Sequence, residues 1–454
     1  MKCFVPSFAL TFAMLLAASA VDALSIQSSD ITTSSIGGHQ TLEKIWTVTS
    51  AEQLQDLLVQ IPGNVFVDYD ASLKSSSSTP DIVAKIIVSG DSEDLINVFD
   101  VIPRESGRNV VSKDSLKVHL KNKDAAVKGY VLTYILVADQ SVLRELSTAS
   151  THNTVLGENV LVNNNSAAKV KLSTAGSGGL FFTSKEKFAV KSLKIDTEGS
   201  GGVQFQVSSL EVNKDFELST AGSGGVAVLS HQIRAMKLKS EVEGSGQVFV
   251  QTDNLQVLDL ASDVAGSGTV TVSESGSCLK QKISIEGSGS VASGSILCKE
   301  TDVFLAGSGS AILQSSEKLK VSSMSPGSVK YVNARPKQIS QSSIFSHHNT
   351  VSAAKENVYT TYKTVEIPAR SPLLLDLKIQ ERLFSEDPQL RILSDDKTFD
   401  FASTVNFGAI APSNSGAWSV VPVVGVAGVA LAAVGALVRK FRQQQKREEY
   451  SPLV

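Results

Sequence analysis

Residues 219–225 read Ser-Thr-Ala-Gly-Ser-Gly-Gly, and the same seven residues stand at 173–179. The core of that stretch, Ala or Glu followed by Gly-Ser-Gly, occurs seven times, with its serine at Ser177, Ser200, Ser223, Ser245, Ser267, Ser288 and Ser308. The intervals are 23, 23, 22, 22, 21 and 20 residues. The residue two before each serine alternates strictly: Ala175, Glu198, Ala221, Glu243, Ala265, Glu286, Ala306. A steady period of this length marks a repeat architecture, and the alternation points to a duplicated two-coil unit.

Between the motifs the pattern is that of strands. Three residues after each serine stand Leu180, Val203, Val226, Val248, Val270, Val291 and Ala311. Five before it stand Leu172, Ile195, Leu218, Ile283 and Val303. Five after and seven before are also largely apolar, so every recurrent apolar offset is odd. Period-two alternation means strands with one face buried. Short strands, glycine corners and about 20–23 residues per coil predict an all-β fold, a parallel β-helix or β-solenoid, in which equivalent strands stack ~4.8 Å apart. A propeller blade needs ~40 residues, and collagen needs glycine at every third position.

The stack gives the cysteines a test. Cys278 and Cys298 are 20 residues apart, each ten before its motif serine. On adjacent coils they would lie one above the other, within disulfide reach. The array extends upstream, since Leu146-Ser147-Thr148-Ala149 repeats Leu172-Ser173-Thr174-Ala175. The stretch 64–69 is expected to start the stack, and 81–89 and 115–120 to be further coils. The solenoid domain is therefore set at 45–330, after a lead-in at 24–44, and 331–417 is expected to cap its open edge and serve as a stalk.

Both ends carry addresses. Met1–Ala23 has Lys2, the apolar run Phe8–Ala18 and small residues at Ala18-Ser19-Ala20 and Val21-Asp22-Ala23, the make-up of a signal peptide. Trp418–Val438 holds 21 residues without a charge, enough for a ~30 Å helical span. Arg439, Lys440, Arg442, Lys446 and Arg447 follow at once and predict a cytosolic C-terminus, hence a single-pass type I membrane protein of the plasma membrane or endomembranes. In the tail, 439–454, Tyr450-Ser451-Pro452-Leu453 fits a tyrosine-based sorting signal for a clathrin adaptor, with Tyr450 and Leu453 as its anchors. Asn164-Asn165-Ser166 is an N-glycosylation sequon, with Asn164 the acceptor.

The Gly-Ser-Gly coils with apolar alternation on both sides resemble the auto-transporter adhesin family with a head GIN domain, over roughly 45–330. The resemblance implies a parallel β-helix, in a family whose function is poorly defined, and brings no catalytic motif. The frame differs, because a type I anchor and tail replace a bacterial export context.

Other chemistry finds little footing. With 42 Lys and Arg against 45 Asp and Glu, no nucleic-acid footprint is expected. The histidines share no metal spacing, and no cofactor or metal site is expected. The motif serines and Glu198, Glu243 and Glu286 have even offsets and are expected to face outward. They form either a polar stripe for glycans or cations, or the wet side of a corner too tight for larger side chains. The function expected is non-catalytic adhesion or recognition of extended glycans or proteins. A sorting receptor relying on Tyr450 is the alternative, and a carbohydrate-active β-helix enzyme is a second.

Overall fold

A computed structural model describes residues 24–74, 81–106, 110–121, 125–324, 326–343 and 350–379. The signal segment, the span Trp418–Val438 and the tail with Tyr450 and Leu453 lie outside the described residues. Among the described residues no helix is long and apolar enough to cross a membrane.

The chain opens with strands β1 (Ser25–Ser28), β2 (Thr32–Gly37), β3 (Gln40–Thr49), β4 (Asp56–Gln60), β5 (Val65–Tyr69) and β6 (Ile82–Gly90). A short helix α1 (Glu93–Asn97) follows, then β7 (Phe99–Ser106), β8 (Val110–Leu120), β9 (Ala125–Val137), β10 (Glu145–Ser150) and β11 (Thr154–Leu156). The repeats form β12 (Asn165–Gly176), β13 (Gly179–Gly199), β14 (Gly202–Gly222), β15 (Gly225–Gly244), β16 (Gln247–Gly266), β17 (Thr269–Gly287), β18 (Ser290–Ala306) and β19 (Ser310–Ser323). Four short strands end the described chain: β20 (Ser328–Tyr331), β21 (Gln338–Ser343), β22 (Val351–Ala353) and β23 (Leu373–Ile379).

From β10 to β22 every pairing is parallel, with register shifts only between the runs of a coil, which makes the fold an all-β solenoid. Leu146, Ser147, Thr148 and Ala149 pair residue for residue with Leu172, Ser173, Thr174 and Ala175. The buried positions of β15 divide each coil into three runs: Val226 and Val228, then Ile233, then Leu238, Ser240 and Val242. We call face A the run that enters the Gly-Ser-Gly corner, face B the run that leaves it, and face C the third. The core is a column of stacked side chains between them. Phe182 and Phe205 on adjacent coils pack with ring centroids 5.0 Å apart, and Phe188 meets Phe205 edge-on. Ser240 and Ser262 interrupt the apolar column of face A. Both are fully buried, and neither hydroxyl has a hydrogen-bond partner.

Three expectations about the ends are corrected. The stretch 81–89 is no coil: β6 runs antiparallel to both β3 and β9. It belongs to an antiparallel cap with β1 and β2, which shields the first coil edge that a bare solenoid would leave open. Nor does 64–69 start the stack. β4 lies between β8 and β10, and β5 between β9 and β11, so the later strands β8 and β9 form the outermost coil. Finally, β21 and β22, within the region expected to be a cap or stalk, continue the parallel stack.

Next to the cap, His152 carries a pH dependence. Its Nδ1 accepts the N–H of Gly63 at 3.1 Å, and burial holds its pKa below the ordinary 6.5. Burial lowers His119 likewise. A base with a depressed folded pKa binds more protons unfolded than folded just below 6.5, so stability rises with pH there and is lost on acidification. The melting temperature is expected to fall between about pH 7.5 and about pH 5, and His152→Asn to shrink that fall. Parallel melting curves of the two proteins would check it; an unchanged difference would remove His152 from the account.

Candidate functional site

The recurrent surface of this molecule is built by the corner motif. In the central repeat, Gly222 has φ of +114°, a left-handed conformation that L side chains rarely adopt. A Cβ there would stand 2.5 Å from the carbonyl oxygen of Gly199 on the coil before. That same oxygen accepts the N–H groups of Ser223 and Gly224, both at 2.9 Å. The second glycine, Gly224, is crowded in turn by the Gly201 carbonyl. Both glycines are therefore demanded by backbone stacking on backbone, and only the serine between them has room for a side chain.

The serines stand on the solvent side of this corner. Ser223, Ser245, Ser267, Ser288 and Ser308 are exposed, and Ser177 and Ser200 are half-buried. Glu198 and Glu243 are exposed and Glu286 is half-buried. In the register they alternate with Ala175, Ala221, Ala265 and Ala306 in one column, so no two glutamates are direct neighbours. Among the described residues no group of His, Cys, Asp and Glu is placed to hold a metal ion. A cavity of about 300 Å³ lies in the cap, walled by Leu24, Ile26, Trp46, Val101 and Pro103 with Asp100 and Ser28, and it holds none of the residues singled out from the sequence.

Cys278 and Cys298 are paired in register on adjacent coils, 4.4 Å apart at Cα, and form a disulfide. It closes a 20-residue loop, for which chain entropy gives ~3 kcal/mol. Cys278→Ala with Cys298→Ala is expected to lower stability by about 2–4 kcal/mol, read from denaturant midpoints without reductant. A double variant as stable as the parent would refute this. Asn164 is exposed in the turn before β12, at φ of +53°.

Face B holds what sequence reasoning missed. After β22 the chain turns back and runs the length of the stack as a strap, residues 354–372. Asn357 donates to Ser295 Oγ on β18 at 2.9 Å. Tyr362 reaches β16 and β14: its ring lies 5.6 Å from that of Phe249, and its hydroxyl donates to Gln204 Oε1 at 2.9 Å. Burial raises the pKa of that hydroxyl above the ordinary 10.0. Gln204 also receives the N–H of Val365 at 2.8 Å and donates to its carbonyl at 3.0 Å. Arg370 grips Asp68 on β5 through two hydrogen bonds of 2.6 and 2.9 Å, and its guanidinium lies 4.9 Å from the Phe66 ring. β23 then pairs antiparallel with β9 in the cap. Under the strap lies a second apolar cluster of outward-pointing residues, Phe66, Leu132, Phe181, Ala227 and Phe249 among them. The signal for it is in the sequence: Leu180-Phe181-Phe182, Val226-Ala227-Val228 and Val248-Phe249-Val250 are apolar at three successive positions, where one open face would need a polar middle residue.

Residues 214–334 match the family described as "Putative auto-transporter adhesin, head GIN domain", which is the family the Gly-Ser-Gly coils resemble. No curated protein matches the chain. Among solved structures, one titled a putative lipid binding protein from Parabacteroides distasonis has 15% identity and a TM-score of 0.33, covering 73% of this chain and 95% of that one. A putative adhesin from the same organism has 13% identity and a TM-score of 0.32, with 72% and 95% covered. A putative adhesin from Parabacteroides merdae has 14% identity and a TM-score of 0.30, with 71% and 93% covered.

Proposed function

We propose that this chain is a non-catalytic, adhesin-like recognition protein whose open solenoid faces bind extended ligands, glycans or proteins. One observation carries the reading. Among the described residues the strap covers face B alone, so face A and face C present outward side chains stacked from coil to coil between β12 and β19. A flat surface repeating every ~4.8 Å suits an extended, repetitive ligand better than a small substrate. The adhesin description of the matched family supports the same reading. The columns of Ser177 to Ser308 and of Glu198, Glu243 and Glu286 are the polar contacts we assign to it.

In this reading Trp418–Val438 spans the membrane once, the signal peptide sends the solenoid to the outer or lumenal side, and Tyr450 and Leu453 face the cytosol. The sorting signal serves to recycle the protein between plasma membrane and endomembranes. Ile379, the last described residue, is paired with β9 in the cap.

The test is the full chain attached to beads by its C-terminal end. Clumping, or retention on cell-wall polysaccharides that free protein competes away, is the expected result. Beads inert in both assays, from protein shown to be folded, would refute the adhesion reading.

A further inference from the structure

Face A carries a pattern of charge that the repeat does not require. On β14 the outward residues are Asp215 and Glu217, on either side of buried Phe216. On β15 they are Lys237 and Lys239, on either side of buried Leu238. β16 presents Asp259 and Ala261; β17 presents Lys280 and Lys282. β18 returns to acid with Glu300 and Asp302, and β19 to base with Lys318 and Lys320. The register stacks the first residues of these pairs in one column and the second in another. These two columns are thus banded across the rod, negative and positive on alternate coils, while the two outward columns nearer the corner are not: they set Glu241 beside Asp263 and place Glu243 and Glu286 on the lysine-bearing β15 and β17.

Stability of the single chain explains only part of this. Like charges directly opposite on neighbouring strands destabilise, and alternation along these two columns avoids that. A checkerboard would serve equally well and would also separate like charges within each strand. The bands instead place Lys237 beside Lys239 and Lys280 beside Lys282. Nor are the bands consumed internally. Lys239 pairs with Glu241 on its own strand and Asp215 with Lys214, while among the described residues no ion pair joins the banded charges of one coil to those of the next.

We infer that face A docks a second, antiparallel copy of itself. Consider a two-fold axis perpendicular to the rod, between β16 and β17. It sets β16 against β17 of the other copy, β15 against β18, and β14 against β19. Each of these pairs joins a negative band to a positive one. The match holds for the two columns placed directly opposite each other, since an offset by one outward position would set Asp302 against Glu241. The symmetry closes on two copies and gives no filament. Signs that alternate every ~4.8 Å cancel at a distance, so they set register at contact and do not steer approach.

Beside the bands runs an apolar stripe, Met236, Leu258 and Leu279, which are 54%, 50% and 41% exposed. Six banded coils by the width of face A give ~24 by ~20 Å, or ~1,000 Å² over both copies. That is the low end of specific interfaces, weak for one pair and effective when many copies face each other. Antiparallel rods are also what two facing surfaces would present. The inference rests on the adhesion reading and names its partner.

The test uses the full chain on beads of two colours. One carries the parent, the other a band-inverted variant: Asp215→Lys, Glu217→Lys, Lys237→Glu, Lys239→Glu, Asp259→Lys, Lys280→Glu, Lys282→Glu, Glu300→Lys, Asp302→Lys, Lys318→Glu and Lys320→Glu. Alternation along the two columns is preserved within β14–β19, with like-charge contacts added where Glu217→Lys faces Lys194 and Lys239→Glu adjoins Glu241, so each colour is expected to clump with itself. Mixed beads should sort by colour, with cross-contacts reduced at least about ten-fold. Should the inverted variant fail to fold, a pair of smaller variants decides. Lys280→Glu with Lys282→Glu, and separately Asp259→Lys, should each lose self-clumping, and a mixture of the two should regain it. Random mixing of colours, or no rescue in the mixture, would overturn the proposal. Parent beads that ignore one another yet hold polysaccharide would overturn it too, and would leave the adhesion reading standing.

Discussion

Gly222→Ala is expected to destabilise the solenoid by about 3–5 kcal/mol, while Ser223→Ala, one residue on, changes stability by less than about 0.5 kcal/mol. The two sit in the same corner and differ in what surrounds them. Gly222 has φ of +114°, which costs an L residue ~1–2 kcal/mol. Its new Cβ would press on the Gly199 carbonyl at 2.5 Å, and the backbone offers no flexible end to yield. Relief requires the coils to part, which breaks the hydrogen bonds from Ser223 and Gly224 to that oxygen, each worth ~0.5–1.5 kcal/mol. Ser223 is exposed and its side chain meets none of this. Because coils hold one another chiefly through neighbours, damage at a central coil should also split the array into two unfolding steps. Chemical denaturation of the two variants, followed by circular dichroism, checks the contrast. A Gly222→Ala protein as stable as its parent would mean the stacked corner is not what fixes the coil.

The solenoid was readable because each coil repeats one local rule. Offsets counted from Ser177 to Ser308 placed the strands, the inward columns and the Cys278–Cys298 pair without tertiary information. The cap was not readable. Ala84, Ile86 and Val88 carry the same alternation in an antiparallel strand as in a parallel coil, and nothing local says which neighbour β6 will take. The crossover that puts β8 outside β4 is likewise a choice of partner. The strap was harder still. Between 354 and 372 the chain forms no regular element, and its anchors, Tyr362, Val365 and Arg370, are spaced to fit coils more than a hundred residues away. Only its footprint left a trace, in the broken alternation at Phe181, Ala227 and Phe249. Gln204 occupies the same column, and a polar residue there looks like an ordinary outward position until the strap is laid over it.

Tyr362→Ala should release the strap without unfolding the solenoid. The substitution removes a buried ring packed on Phe249 and one hydrogen bond to Gln204, a loss of ~3–5 kcal/mol for a buried aromatic residue. Gln204→Ala should act in the same direction from the other side, since it strips partners from the Val365 N–H and carbonyl and from the Tyr362 hydroxyl together. The segment has no ladder of its own between Asn357 and Arg370, so these contacts carry most of its attachment. The coils beneath keep their registers, and β23 keeps its pairing with β9. Opening is then local, with a free energy well below that of the whole fold. The expected signs are rapid amide exchange and protease cleavage within 354–372, and binding of an apolar dye to the uncovered Phe181 and Phe249. Exchange as slow as in the parent would show that the strap is held elsewhere. The same variant separates the two faces in the adhesion assay. Face A is untouched by the loss of Tyr362, so self-clumping through the charge bands should persist after the strap has lifted. Clumping that rises with dye binding would instead reflect apolar contact through face B.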